Sequence, residues 1–276
     1  MTLFDAARGP EDHSDQMRGH GGNDPSQLRV RMTVAYDGAG FHGFAPNPGV
    51  ATVGGALLDA LDRVLGTPVE LSCAGRTDAG VHAWGQVVSF DAAADLFDER
   101  ALQRSLNKLC APAIVVREVA TAEPDFDARR SATARTYRYT VLNRPLPDPF
   151  RAHLVWHVAG PLDRDLLQLG CDPLLGEHDF SAFCRRPKQR DGAEVSLVRR
   201  VHDASWTDVG DDVLLFQITA NAFCHQMVRS LVGTLVEVGQ GRRGAGEILG
   251  ILEGRDRAAA GPVAPPHGLC LWSVGY

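Results

Sequence analysis

An arginine and an aspartate stand two positions apart in the segment GRTDAG, which is bracketed by Gly75 and Gly80. In extended backbone, side chains two residues apart point to the same side, so Arg76 is expected to pair with Asp78 and keep its carboxylate ionised. Glycines let such a loop approach a ligand closely. A carboxylate held in this way can act as a base, a nucleophile or a metal ligand. Taken as a short string, however, the segment favours the plainer interpretation of a turn aspartate that bonds its own backbone.

Other catalytic classes find little support in the sequence. It contains neither a G-x-x-x-x-G-K-[ST] phosphate loop nor a G-x-S-x-G nucleophile elbow. His82 follows Asp78 by four positions, but no recognisable set of further metal ligands accompanies it. A glycoside hydrolase needs a second carboxylate that faces the first, and Asp125 and Asp127 are only loose candidates. What remains is a single aspartate beside an arginine.

The charge of the chain is unevenly distributed. The net charge of −6 argues at first against a nucleic-acid partner. Residues 129–144 nevertheless carry five arginines and no acid, and residues 185–200 carry six basic residues against Asp191 and Glu194. Two cationic stretches on an acidic background suit a polyanion held in a groove. Each stretch alone is explained equally well by arginines that face solvent on a strand.

Strands and helices that would position these residues can be read from the hydrophobic pattern. Strands are predicted at 28–36, 69–73, 85–90, 113–119, 134–142, 153–158 and 268–276, with a hairpin at 198–209 and 212–221. Helices are predicted at 53–65 with Gly66 as C-cap, from Asp98 as N-cap through 109, and at 162–175, 225–239 and 245–254. Because the order is not a strict βαβ alternation, the sequence predicts an α+β fold with antiparallel sheets.

The two halves of the chain share an order of elements, which predicts two similar mixed α/β halves joined side by side with the active-site cleft between them. The boundaries are a disordered N-terminal tail at 1–27, an N-terminal half at 28–127 that carries the Asp78 loop, and a C-terminal half at 128–276. The six cysteines are scattered without a CxxC pair, so reduced, mostly buried thiols are expected. No segment resembles a membrane span, and residues 1–27 lack a secretory core, which predicts a cytoplasmic protein.

The segment AGRTDAGVHAWGQVVSF closely resembles the signature of the tRNA pseudouridine synthase A family. Four further blocks resemble that family in the same order: FDARRSATARTYRY, LLGEHDFSAFC, NAFCHQMVRSLVGTLVEVGQGR and GLCL. The resemblance extends from about Leu28 to the C-terminus. Five ordered blocks are far more specific than one short string, so the plain turn interpretation of Asp78 loses its weight.

The resemblance implies the pseudouridine synthase fold and an isomerisation without cofactor or metal, in the anticodon stem-loop of tRNA. The N1–C1′ bond of uridine breaks and C5 is joined to C1′. Asp78 matches the essential aspartate, and three roles stay open for it: attack at C1′, attack at C6, or proton abstraction from the sugar. The resemblance also implies a homodimer with tRNA as its partner.

The resemblance assigns further residues around Asp78. Arg76 matches the arginine that pairs with the aspartate and displaces the target base, Tyr137 the tyrosine that packs against that base, and Leu269 an apolar residue of the base pocket. Without the resemblance, Tyr137 and Leu269 would be read as core. Residues expected to contact tRNA are Arg129, Arg130, Arg185, Arg186, Lys188, Arg190 and Arg229.

The chain departs from the family pattern after its first strand. The family commonly has a Gly-Trp pair followed by glutamines there, and this chain has Phe44 for the tryptophan and Gly54 near a usual glutamine. This motivates a second hypothesis, an RNA-binding protein without catalysis on the same fold. The complete Arg-Thr-Asp triplet argues against it, because a buried charge is costly to keep. A third hypothesis, an aspartate-dependent hydrolase of a nucleoside or sugar, lacks the paired carboxylate.

Overall fold

The computed structural model describes residues 26–185 and 195–276. Most of the predicted N-terminal tail, and three of the expected tRNA-binding residues, Arg186, Lys188 and Arg190, lie outside the described residues. Within them, no helix combines the length and apolar character that crossing a lipid bilayer requires.

Ten strands and five α-helices make up the described chain. The strands are β1 (Gln27–Tyr36), β2 (Ser72–Cys73), β3 (His82–Ala93), β4 (Ile114–Ala122), β5 (Ala134–Leu142), β6 (Trp156–His157), β7 (Gly176–Asp179), β8 (Val198–Gly210), β9 (Val213–Ala220) and β10 (Leu269–Gly275). The helices are α1 (Val53–Leu65), α2 (Glu99–Cys110), α3 (Arg164–Leu169), α4 (Met227–Gly239) and α5 (Glu247–Gly254).

All ten strands belong to one sheet with the order β4-β1-β3-β10-β5-β9-β8-β7, while β2 pairs with β3 and β6 with β5. Pairing is antiparallel except between β10 and β3 and between β5 and β6. The predicted α+β fold with antiparallel sheets is confirmed, and β10 joins the two groups of strands into one continuous sheet. Its Leu271 is in register with Ala83 on one side and with Tyr137 on the other. The C-terminal strand therefore sets the distance between the Asp78 loop and β5.

The alternation of buried residues in β5 and the caps of α1 and α2 are found where the sequence predicts them. In β5, Tyr137, Tyr139 and Val141 are buried on one face. Helix α1 ends at Gly66, whose φ of 72° is the left-handed conformation that glycine adopts without strain. Helix α2 begins after Asp98, whose carboxylate accepts a hydrogen bond from the Ala101 amide at 2.7 Å.

Other predictions of secondary structure are wrong in extent. The helix predicted over 162–175 divides into α3 and a 3₁₀ turn at Asp172–Leu174, since Pro173 lacks the amide that a continuing helix needs. Helix α4 begins at Met227 rather than 225, because Gln226 has a φ of 65°. The strands predicted at 69–73 and 153–158 shorten to β2 and β6, of two residues each.

The cysteines also differ from expectation. The structure joins Cys184 to Cys224 in a disulfide, with Cα atoms 5.8 Å apart, whereas Cys73, Cys110, Cys171 and Cys270 are free. The prediction of six thiols is therefore wrong for this pair. The two residues are 40 positions apart in the sequence, so the sequence gives no sign that they are close. They meet because β8 and β9 form a hairpin, which brings the residues after β9 next to those before β8.

Two helical glycines give a matched test of packing. A Cβ at Gly233 in α4 would overlap the carbonyl oxygen of Pro262, whereas a Cβ at Gly250 in α5 meets no atom within 4 Å. We expect Gly233→Ala to lower the free energy of unfolding by about 3 kcal/mol, because backbone must move to admit the methyl group. Gly250→Ala should leave it unchanged or raise it by about 0.5 kcal/mol. Chemical denaturation measures both, and equal stabilities of the two variants would contradict this close approach.

Candidate active site

The loop that carries Asp78 is fixed by its neighbours on both sides. The Thr77 hydroxyl lies 2.8 Å from the Tyr36 hydroxyl in the core, and the Thr77 carbonyl accepts a hydrogen bond from the Phe44 amide at 3.1 Å. The buried Gln86 side chain donates to the Gly75 carbonyl at 2.6 Å. The loop then turns, with the Val81 amide donating to the Asp78 carbonyl at 3.1 Å. Because Thr77 points inward, the two charged residues beside it are excluded from the core.

Two side chains contact the Asp78 carboxylate, and both come from the C-terminal part of the chain. Arg229 on α4 approaches one carboxylate oxygen with Nη1 at 3.2 Å, and His225 Nε2 lies 3.3 Å from the other. The Asp78 side chain is 25% exposed and that of Arg229 only 13%. Arg229 also donates from Nε to the Ala264 carbonyl at 2.7 Å, which fixes its guanidinium. Charge-assisted pairs of this kind are strong when they are partly shielded from water.

Arg76 is not the partner of Asp78, so the predicted ion pair is wrong. Arg76 is exposed, and no ion pair joins it to Asp78 in the described part of the chain. The same-side rule for extended backbone fails because the chain turns at Asp78 instead of continuing as a strand. Burial raises the pKa of the Cys73 thiol to about 11, and the positive charges of Arg76 and Arg129 act to lower it. Arg76 and Arg129 therefore border the same region.

Tyr137 lies on β5, within electrostatic range of the Asp78 carboxylate. Its ring meets Phe223 edge-on with centroids 5.0 Å apart, and a Cβ at Gly75 would lie 3.7 Å from its hydroxyl oxygen. Burial raises the pKa of Tyr137, and the nearby Tyr36 and Asp78 raise it further, so the hydroxyl stays protonated at neutral pH. Leu269 on β10 is buried and in register with Tyr139. Tyr137 thus lies on a central strand of the sheet, within electrostatic range of the Asp78 loop.

Arg135 was not predicted as part of the site. Its buried guanidinium donates to the carbonyls of Ala74, Arg129 and Asn221 at 2.7–3.2 Å, and so connects three loops. Burial lowers its pKa. One sequence signal could have revealed it: Arg135 shares the β5 face of Tyr137 and Tyr139, and an arginine on an apolar face needs buried partners. His225 was assigned to a helix, and its spacing from Asp78 gave no signal.

Comparison with known proteins decides the family. A curated tRNA pseudouridine synthase A of Brevibacillus brevis is 41% identical over 248 residues, which cover 90% of this chain and 99% of that protein. Those of Corynebacterium glutamicum and Geotalea daltonii are 41% and 38% identical over 90% of this chain, covering 89% and 99% of the relatives. The chain belongs to the tRNA pseudouridine synthase A family.

Further comparisons agree with this membership. A family model described as tRNA pseudouridine synthase matches residues 171–276. The resemblance read from the five sequence blocks is therefore confirmed, and membership places the chain among the pseudouridine synthases, which are isomerases. A solved Cbf5-Nop10-Gar1 complex is 15% identical with a TM-score of 0.32, covering 75% of this chain and 45% of that one. So distant a likeness carries no argument here.

The arginines expected to contact tRNA, where the structure describes them, are of two kinds: some are exposed and one is turned inward. Arg129, Arg130 and Arg185 are exposed, the first two in a turn whose amides donate to the Asp127 carboxylate. Arg229 is instead turned inward to Asp78. Among residues 26–185 and 195–276, no cluster of three or more histidine, cysteine or acidic side chains is arranged to hold a metal ion.

Proposed function

We propose that this chain isomerises uridine to pseudouridine in the anticodon stem-loop of tRNA, with Asp78 as its catalytic residue. The observation that carries the proposal is the Asp78 carboxylate itself. It is partly shielded from water, is paired with Arg229 at 3.2 Å, and lies within electrostatic range of Tyr137. Membership of the pseudouridine synthase A family supports the substrate, and the Asp78–Arg229–Tyr137 cluster supports the site.

The reaction requires a carboxylate that is ionised and held still. The N1–C1′ bond breaks, the base turns, and C5 bonds to C1′, while the proton on C5 leaves and N1 gains one. Arg229 donates from Nη1 to one Asp78 carboxylate oxygen at 3.2 Å, a charge-assisted hydrogen bond that holds the carboxylate in place. Its second hydrogen bond, to the Ala264 carbonyl, restricts where the carboxylate can lie. Asp78 then acts by attack at C1′, by attack at C6, or as a base on the sugar.

Arg76 and Tyr137 are proposed to hold the target base. Arg76 is exposed and is not committed to Asp78, so its planar guanidinium is free to occupy the stacking space that the base leaves. Tyr137 offers a ring within electrostatic range of the carboxylate, and the buried Leu269 an apolar surface in the neighbouring strand. Each of these roles follows the family motif and agrees with the side chain's position.

The tRNA backbone is proposed to follow the exposed arginines. Arg129 and Arg130 lie in the turn that Arg135 connects to the Asp78 loop, and Arg185 donates its amide to the His225 carbonyl at 2.9 Å. Arg186, Lys188 and Arg190 continue from Arg185 along the sequence. Phosphate contacts fix register, and the flipped base supplies the specific contact. We further propose a homodimer that acts in the cytoplasm, on the strength of the family resemblance.

Mapping pseudouridine in tRNA tests the proposed function. The protein is incubated with unmodified tRNA, without metal or nucleotide, and pseudouridine is located by sequencing after chemical labelling. We expect product at uridines of the anticodon stem-loop. Product confined to another arm would contradict the proposed target. Tight tRNA binding without product at any position would instead favour the RNA-binding hypothesis.

A further inference from the structure

A second cavity, of about 430 Å³, shares a wall with the Asp78 site. Gln226 lines it, and this residue stands between His225, which contacts Asp78, and helix α4, whose Arg229 pairs with Asp78. Arg185, also in the lining, donates its amide to the His225 carbonyl at 2.9 Å. The cavity and Asp78 are thus both adjacent to residues 225–229.

The lining of this cavity is cationic. Arg185, Arg255 and Arg257 contribute to it, against one carboxylate, Asp256, which already accepts from the Ala258 amide at 2.9 Å. Arg257 is fixed by hydrogen bonds to the Ser230 hydroxyl and the Gly261 carbonyl. Arg255 lies 3.4 Å from Asp179 and its side chain is 66% exposed. The lining therefore carries a net positive charge, and the Arg255 guanidinium is largely open to solvent.

Two further features of the lining point to an anion. The Ser181 hydroxyl has no hydrogen-bond partner among the described residues, although Ser181 is only 5% exposed. A buried hydroxyl without a partner is costly unless a ligand supplies one. In addition, α4 starts at this wall with 13 residues, and Gln226 provides no side-chain cap for its first turn. The helix dipole at such an end favours negative charge.

We propose that this cavity binds a backbone phosphate of the RNA substrate, on a nucleotide next to the target uridine. The inference rests on the proposed function and adds a contact to it. Ser181 donates its hydroxyl to the phosphate, and Arg185, Arg255 and Arg257 neutralise it. Because residues 225–229 also hold Asp78, a phosphate seated here fixes the ribose of the target nucleotide relative to the carboxylate.

Three single variants test the phosphate site by tRNA binding over a range of salt concentrations. Ser181→Ala removes an unpartnered hydroxyl, so we expect binding about threefold weaker with no loss of thermal stability. Arg255→Ala should weaken binding about fivefold and reduce the slope of log Kd against log salt by about one. Arg164→Ala is the matched control, because Arg164 is 65% exposed and also pairs with an aspartate, Asp208. Arg164→Ala should change neither the tRNA affinity nor the slope of log Kd against log salt.

Inorganic phosphate distinguishes the RNA backbone from a free anion. At constant ionic strength, phosphate should compete with tRNA for the wild type and compete less for Ser181→Ala. If phosphate stabilises the wild type without affecting its tRNA affinity, the cavity takes a free anion and the proposal is overturned. It is also overturned if Ser181→Ala and Arg255→Ala bind tRNA as Arg164→Ala does.

The experiments distinguish a failure of the proposed phosphate site from a failure of the proposed isomerisation. If the wild type forms pseudouridine while the cavity variants match the control, only the phosphate site fails. If the wild type forms none but the cavity variants lose tRNA affinity as expected, only the proposed reaction fails.

Discussion

Asp78→Asn should abolish pseudouridine formation, with a fall of about a thousandfold or more in the single-turnover rate and little change in tRNA affinity. The side-chain amide keeps the shape of the carboxylate, and its oxygen can still accept from Arg229. What it loses is the negative charge that attack or proton abstraction requires. The rate is measured with enzyme in excess over tRNA, and the dissociation constant with the same tRNA.

Asp148→Asn provides a control for this variant. Asp148 is also a shielded, ion-paired carboxylate, with its side chain 16% exposed and with Arg144 and Arg151 at 3.3 and 3.5 Å. Removing the Asp148 charge should leave the single-turnover rate within about twofold of wild type. Ion pairs of this kind contribute modestly to stability and take no part in the reaction. A rate for Asp78→Asn close to that of Asp148→Asn would remove Asp78 from the chemistry.

Arg229→Lys should lower the single-turnover rate about a hundredfold while tRNA affinity stays within about threefold of wild type. Arg229 uses Nε for the Ala264 carbonyl and Nη1 for Asp78, two contacts that one guanidinium makes in a fixed geometry. A lysine ammonium keeps the charge but cannot span both. The carboxylate then loses its fixed position, and misplacement of a reacting group is costly to rate.

A matched Arg→Lys substitution just beyond α4 tests whether the effect of Arg229→Lys is specific to the site. Arg243 lies just beyond α4, is partly buried and contacts Glu237 at 3.2 Å, so Arg243→Lys repeats the exchange away from the site. We expect a rate close to wild type for this control. If Arg229→Lys weakens tRNA binding as much as it lowers the rate, Arg229 contacts RNA, as the sequence alone suggested, and does not act through Asp78.

Local features of the fold follow from the sequence because short-range physics decides them. The alternation in β5, the Gly66 C-cap and the Asp98 N-cap each depend on neighbours within a few positions. Asp78 is predicted as the site residue in the same way, since its motif is contiguous. The helix predicted over 162–175 is interrupted for an equally local reason, the missing amide of Pro173.

Contacts between distant parts of the chain are what the sequence does not reveal. Arg229 is 151 positions from Asp78, so the nearer Arg76 was the natural but wrong choice of partner. Arg135 forms hydrogen bonds to three loops that come together only when β10 joins β3 to β5. The Cys184–Cys224 disulfide likewise depends on tertiary structure, in this case on the pairing of β8 with β9. Pairing at this range is set by topology, which local pattern does not encode.

Release of tritium from tRNA labelled at C5 of uridine is the most direct test that this protein is an isomerase acting through Asp78. Forming the bond between C5 and C1′ expels the hydrogen on C5, so tritium should appear in water as pseudouridine forms. With wild-type protein and no added metal or nucleotide, we expect release that stops when the target uridines are consumed, and none with Asp78→Asn. Tight binding of the labelled tRNA with no release from the wild type, or equal release from Asp78→Asn, would contradict the account.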